Sequence, residues 1–400
     1  MDFSLSEKEQ KLWERAKAFT YEHITPKAND LEKRDEFPKE IVQKAYEAGL
    51  MNLHIPKTAG GPELSLFSET LVSEATGYGC AGTATSIMAN NLAFTPILIG
   101  ATVEQLQTYV EPLITGKEVK LGSFCLTERG AGSDVGGITT RAERDGDEYV
   151  INGVKCYATN APHASLYTVF ASTQPELKTK GLSCFMVPKS KATKIGHIEN
   201  KVGQRNSVQS EVIFEDARVP KDCLVGKEGE GFKIAMVTLD KTRAGIAAIS
   251  TGVAQRAVDE AAKFANIRHQ FGQAIGRFQG ISFMLAEMGA RAAAARQLTR
   301  YAAWLADQGM RVSKDSAFAK FFASDAAMLN AVDAVQIMGG YGYLEEYPVE
   351  KLMRDAKLLQ IYEGTNQIQR LVAGNNILKE SANLDTGFHV KYDGRDAPVM

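Results

Sequence analysis

The chain has 400 residues, 44% of them apolar and 24% charged, and 46 Lys and Arg against 48 Asp and Glu leave a formal net charge of −2. That length exceeds what one core usually organises, so two or three packed regions are expected. Interspersed charge without a long basic run or an acidic tail excludes nucleic acid or an anionic membrane as the indicated main partner.

From Ser6 to about Leu113 the apolar residues recur at helical spacing, punctuated at Pro26, Pro38, the Pro56-to-Pro62 loop and Pro96. Ser6-Glu7-Lys8-Glu9 is a capping-box pattern that starts the first helix. From about Glu118 to Pro220 the period changes to alternation. Glu148–Ile151, then Asn152-Gly153, then Val154–Tyr157 predicts a hairpin, because Asn-Gly suits the positive φ angles of a type I′ turn. Leu166–Ala171, Leu182–Val187 and Glu211–Phe214 read as further strands. Beyond Gly231 the chain turns helical again, in alanine-rich segments at about 232–268, 277–308, 314–338 and 349–378. Thin side chains let such helices pack closely as a bundle, and its broad apolar stripe suits self-association.

The predicted regions are therefore a helical layer at 1–116, a β layer at 117–226, a helical bundle at 227–380 and a tail at 381–400. The tail, with Gly387, Gly394 and Pro398, is either without fixed structure or an arm over a neighbouring subunit. Acidic residues near the start and the lack of an early apolar run predict no secretory signal, and no apolar run reaches membrane-span length. The scattered cysteines Cys80, Cys125, Cys156, Cys184 and Cys223 form no Cys-x-x-Cys pair, which predicts reduced, buried thiols in the cytoplasm and no metal site.

Two motifs carry chemistry. The first is Leu126-Thr127-Glu128-Arg129-Gly130-Ala131-Gly132-Ser133-Asp134, whose glycines permit close backbone approach and whose hydroxyls offer hydrogen bonds. It is no Rossmann fingerprint, since no Gly-x-Gly-x-x-Gly links a strand to a helix. The second lies over two hundred residues later: Gln336–Tyr343, then Glu346–Asp355, then Ile361-Tyr362-Glu363-Gly364-Thr365-Asn366-Gln367-Ile368-Gln369-Arg370. In this order and spacing, over roughly residues 1–380, they resemble the acyl-CoA dehydrogenase family, most closely its medium- and short-chain branches.

The resemblance implies an α+β, mostly α fold: an N-terminal α-domain, a central β-domain and a C-terminal four-helix bundle. It also implies FAD as cofactor, a homotetramer built as a dimer of dimers, and an electron-transferring flavoprotein as electron acceptor. The reaction of this class, a step of β-oxidation, removes the α-proton and the β-hydride of an acyl-CoA thioester. A base must face the flavin across the substrate, and donors must hold the thioester oxygen as the enolate develops. By resemblance Glu363 is the base, and its backbone N–H and a flavin ribityl hydroxyl are the donors. Burial beside Tyr362 is expected to raise the Glu363 pKa. Relatives that carry the base elsewhere use the position of Thr242, which cannot serve.

Further roles follow from the same resemblance. Phe124, Leu126, Thr127 and Ser133 line the flavin site, with Ser133 also near CoA. Tyr157 and Thr159 flank the isoalloxazine. Arg268, Phe271 and Gln279 match residues that reach the neighbouring subunit's flavin, where arginine suits a pyrophosphate. Gln336, Gly339 and Gly340 match its adenine-side contacts, and Thr365 and Gln367 match contacts to the subunit's own flavin. Asp240, Arg243 and Gly364 join Ser133 as substrate contacts.

The chain departs from the family pattern at Arg129, in place of proline, and at Tyr157, in place of tryptophan. Arg129 either meets an acidic group of the substrate or is neutral surface variation. The acyl pocket is expected around Ile87–Leu92, where Met88 is bulky enough to shorten it. Two other readings remain open from sequence: an enoyl-CoA reductase running the same chemistry backwards, and a non-catalytic scaffold that kept the fold.

Overall fold

In the computed structural model, which describes residues 4–382, Ser6 begins the first helix as its pattern predicts. Its hydroxyl accepts the Glu9 N–H at 3.4 Å, and its own N–H donates to the Glu9 carboxylate at 2.8 Å, closing the capping box. The first layer comprises α1 (Glu7–Phe19), α2 (Ala28–Lys33), α3 (Lys39–Glu47), α4 (Leu66–Gly79), α5 (Ala81–Gly100), α6 (Val103–Gln105) and α7 (Glu111–Ile114). Helices α4 and α5 are buried on nearly every side. Pro96, expected to punctuate this layer, instead lies inside α5. Packing around the whole helix outweighs the one backbone bond that proline removes near its end.

The second layer is an eight-stranded sheet in the order β6-β7-β3-β2-β4-β5-β8, with β1 lying parallel on β4. Its strands are β1 (Leu121–Cys125), β2 (Arg141–Asp145), β3 (Glu148–Thr159), β4 (Ala164–Ser172), β5 (Leu182–Pro188), β6 (Thr193–Ile198), β7 (Gln209–Pro220) and β8 (Leu224–Val225). Strands are found at each predicted position, but the Asn152-Gly153 hairpin is not. Both residues sit inside β3, at a bulge in its pairing with β7. The Asn152 side chain reaches across to β7, donating to the Asp216 carboxylate at 3.0 Å and accepting the Asp216 N–H at 2.8 Å. The tight turn falls at Gly146-Asp147, between paired Asp145 and Glu148, where Gly146 has φ 62°. Gly-Asp is itself a two-residue turn signal, and the Asn-Gly pair masked it.

The third layer is built on α8 (Gly231–Ile267), followed by the short ribbon β9 (His269–Gln270) and β10 (Gln273–Ala274). Then come α9 (Gln279–Asp307), α10 (Ser313–Met338), α11 (Pro348–Leu359) and α12 (Asn366–Ser381). Alanines 254, 257, 261, 265, 327, 331 and 334 are all buried where α8 meets its neighbours. The close approach extends to α4: a Cβ on Gly252 would fall 2.2 Å from the Glu74 carbonyl. The predicted continuous helix at 349–378 is in fact two, α11 and α12, broken at residues 360–365. Gly364, with φ 93°, cannot continue a right-handed helix, and Thr365 caps the next one by accepting the Ile368 N–H at 3.3 Å. The tail expected at 381–400 lies almost wholly outside the described residues; only Ser381, the last residue of α12, and Ala382 fall within them.

A buried ion network ties the layers together. Lys351 and Asp355 of α11 are paired, Lys351 lies 3.8 Å from Glu32 of α2, and Arg354 donates to Glu32 at 2.7 Å. Asp355 also accepts the N–H of Gln204, in the loop before β7, at 2.5 Å. Lys351→Met leaves the buried Asp355 carboxylate without its cation, while Glu32 keeps Arg354, so a loss of about 3–5 kcal/mol is expected in chemical unfolding. Lys11→Ala, in an exposed pair with Glu7, is expected to cost under about 1 kcal/mol in the same measurement.

Candidate active site

The break between α11 and α12 carries Tyr362 and Glu363. The N–H groups of Ile361 and Tyr362 both reach back to the Leu358 carbonyl, at 2.9 and 3.1 Å, so α11 closes on a tight turn. Glu363 and Gly364 then take left-handed φ angles of 51° and 93°. Glycine does so freely, whereas a glutamate there is strained and persists only where its surroundings over-determine it. Two side chains supply that constraint. Gln369 donates to the Glu363 and Gly364 carbonyls at 3.2 and 3.0 Å. From α10, the Lys320 ammonium donates to the Gly364 carbonyl at 2.9 Å and to Asn366 Oδ1 at 3.0 Å.

The turn aims the Glu363 carboxyl at α8, where Thr242 Oγ1 donates to Oε2 at 2.7 Å. The residue is half-buried by surface, but protein crowds its carboxyl, and desolvation raises its pKa above the ordinary carboxylate value. The Thr242 bond and the charges of Lys320 and Arg243 oppose the rise without cancelling it. Beside it, Tyr362 OH lies 3.2 Å from Thr85 Oγ1, which donates to Gln204 at 2.9 Å. Gln204 is the residue fixed on Asp355, so the interlayer network ends at the site. Met88, one turn of α5 beyond Thr85, fills the niche at Gly245: a Cβ there would fall 2.2 Å from the Met88 methyl carbon. Gly245 is one turn along α8 from Thr242, the residue that bonds the carboxylate.

Around Glu363 the structure gathers Thr242, Arg243, Asp240, Gly364 and Thr365. Arg243, 4% exposed, donates to Asp240 at 2.5 Å, and Ser313 also bonds Asp240. Gln367 is exposed on the first turn of α12. On the sheet, Leu126 is buried and Phe124, Thr127 and Thr159 are half-buried, while Ser133 is exposed in an open glycine loop. Tyr157 has φ 56° and is 58% exposed. This set fits a flavin: an unpacked aromatic face, hydroxyls at Thr127, Thr159 and Ser133, and glycines 130 and 132 with no atom within 4 Å of an added Cβ. Arg129 is committed elsewhere, its guanidinium paired with Glu211 of β7 at 2.5 Å.

Arg268, Phe271, Gly339 and Gly340 are not brought to Glu363. They line a largely apolar cavity of about 920 Å³ at the far end of α8; exposed Gln279 opens α9, whose first residues line it, and exposed Gln336 lies on the last turn of α10. The 26 residues from Thr242 to Arg268 along the helix amount to about 39 Å, so one chain holds two separate groups. Lys320, Gln369, Thr85 and Gln204 were not found from sequence. A lone lysine in an alanine-rich helix carries no local signal, and Gln204 is placed only by the sheet's approach to α11.

The family model described as acyl-CoA dehydrogenase, N-terminal domain, matches residues 6–117; the middle-domain model matches 123–217 and the C-terminal-domain model 229–378. The chain is 42% identical over 377 residues to the short-chain specific acyl-CoA dehydrogenase, mitochondrial, of Bos taurus, covering 94% of this chain and 91% of that one. It is 40% identical over 382 residues to the acryloyl-CoA reductase (NADH) of Anaerotignum propionicum, covering 95% and 96%. The fold matches, with TM-score 0.92 and 41% identity over 95% of this chain and all of the other, a solved structure described as "Electron transferring flavoprotein of Acidaminococcus fermentans: Towards a mechanism of flavin-based electron bifurcation". With three contiguous domain models and relatives matched over nearly their whole length, this chain belongs to the acyl-CoA dehydrogenase family.

Proposed function

We propose that this FAD-dependent oxidoreductase dehydrogenates a short-chain acyl-CoA thioester to the trans-2-enoyl-CoA, with Glu363 as the base. The observation that carries the reading is a carboxyl turned out of a helix break, bonded by Thr242 and raised in pKa by burial. A higher pKa makes it a stronger acceptor for the weakly acidic α-proton. The Glu363 N–H has no acceptor among the described residues, which suits it to hold the thioester oxygen as charge develops there. Phe124, Leu126, Thr127, Ser133, Tyr157 and Thr159 would hold the flavin on the opposite side of the substrate. When bound, its chemistry is that of hydride acceptor for the β-carbon, with the electrons passed on to an electron-transferring flavoprotein.

The remote cavity at Arg268 and Gly339 is read as the place for the adenine end of a neighbouring subunit's FAD, in a homotetramer. Phe271, 93% exposed in the single chain, supports a contact completed between subunits. Asp240, Arg243 and Gly364 are assigned to the substrate, Thr365 and Gln367 to the chain's own flavin. Five free, buried cysteines suit a reducing, cytoplasmic compartment. A reductase acting on a short enoyl-CoA is the second reading, favoured by the acryloyl-CoA reductase relative; Glu363 would then deliver the α-proton.

Anaerobic titration of the flavoprotein with acyl-CoA thioesters of increasing length tests the reading. Butyryl-CoA is expected to bleach the visible flavin band, and Glu363→Gln to slow bleaching by about 10²–10⁴-fold or more. A band that bleaches equally fast in the variant would overturn the base assignment. Met88→Ala is expected to raise kcat/KM for octanoyl-CoA relative to butyryl-CoA by on the order of tenfold or more, since several buried methylenes gain room. An unchanged ratio would place the end of the acyl pocket elsewhere.

A further inference from the structure

Lys320 is fully buried on α10, and its position is unusual for what it bonds. Both of its acceptors are neutral, and both keep another donor without it. The Gly364 carbonyl is also met by Gln369 at 3.0 Å, and Asn366 Oδ1 by Ser324 at 3.1 Å. Hydrogen bonding alone therefore does not account for a cation in this place, and burying one is costly. Lys351 offers the contrast, since its charge answers buried carboxylates directly.

We propose that Lys320 is a positioning residue for the reaction: its ammonium grips the left-handed Glu363–Gly364 turn from behind and sets positive charge against the Glu363 carboxylate. This rests on Glu363 being the base. The turn is the only covalent support of the carboxyl, so a tether on the Gly364 carbonyl controls where the carboxyl and the Glu363 N–H point. The charge matters because burial favours the protonated glutamate, and a nearby cation opposes that rise in pKa.

The surrounding charges agree with this role. Facing Glu363 are Arg243 from α8, already bonded to Asp240, and Lys320 from α10; its own loop adds the neutral Tyr362. Facing Lys320 are Glu363, Arg243 and Asp325, the last shared with Arg370, Gln360 and Asn366. Desolvation pulls the Lys320 pKa down to about 7, against the attraction of Glu363. At pH below that value Lys320 is a cation, and its charge favours the Glu363 carboxylate. Its removal shifts the Glu363 pKa upward, and activity, which needs the carboxylate, is lost at a higher pH.

The test compares Lys320→Met and Lys320→Arg holoenzymes with the parent, following kcat and kcat/KM for butyryl-CoA against pH. The infrared carboxyl band that disappears in Glu363→Gln is titrated alongside. Lys320→Met is expected to retain flavin and melt no lower than the parent by more than a few degrees. Its acid limb and the Glu363 carboxyl titration should both move up by at least about half a pH unit. At neutral pH kcat should fall about tenfold or more, with KM little changed, while Lys320→Arg keeps both titrations near the parent's. Unmoved titrations in Lys320→Met, an equal shift in Lys320→Arg, or loss of folding in both Lys320→Met and Lys320→Gln would overturn the proposal. A Glu363→Gln enzyme that stays active would instead sink the base assignment on which it stands.

Discussion

A glutamate held at φ 51° between two helices is the constraint on which this site depends. Left-handed backbone is uncommon for a residue with a Cβ, and it is kept only where contacts leave no alternative. Here α11 ends on paired bonds to the Leu358 carbonyl, Gly364 permits the reversal, Thr365 starts the next helix, and Gln369 and Lys320 hold the intervening carbonyls. In a continuous helix the Glu363 N–H would be spent on the residue four positions earlier. The break frees that N–H and turns the carboxyl towards α8, so one local irregularity supplies both groups that the proposed chemistry uses.

The rest of the fold serves to bring a partner surface up to that break. Helix α8 runs about 55 Å by its 37 residues, and it contributes Thr242 and Arg243 near one end and the Arg268 cavity at the other. Its contact with α4 is close enough that glycine is required at Gly252, so the first helical layer is locked against it. That contact carries α5, with Thr85 and Met88, to the same region. The sheet adds Gln204, which joins Tyr362 through Thr85 to the buried ion network around Asp355. A short chain of hydrogen bonds thereby links that network to the residue next to Glu363.

Much of the layout was legible because it depends on periodicity: alternation marked the strands, alanine-rich helical spacing marked α8 to α10, and the capping box marked α1. The errors came where two local signals competed. Asn152-Gly153 has ideal turn chemistry, yet cross-strand bonding of Asn152 to Asp216 makes it part of a bulged strand, and Gly146-Asp147 turns instead. Pro96 reads as a breaker but is carried inside α5 by burial. The segment at 349–378 keeps helical periodicity through the break, and only Gly364-Thr365, a stop followed by a cap, betrays it.

The sequence by itself determined the family-like motifs, the identity of the candidate base and the order of helical, strand and helical layers, because these reside in residue types and spacings along the chain. Only the tertiary structure decided that Glu363 leaves the helix, that Thr242 becomes its hydrogen-bond donor, and that Lys320 and Arg243 supply the charge around it. Those facts join residues 44 to 121 positions apart. Their energetics turn on burial and on distances across packed layers, neither of which is written in any local stretch of chain.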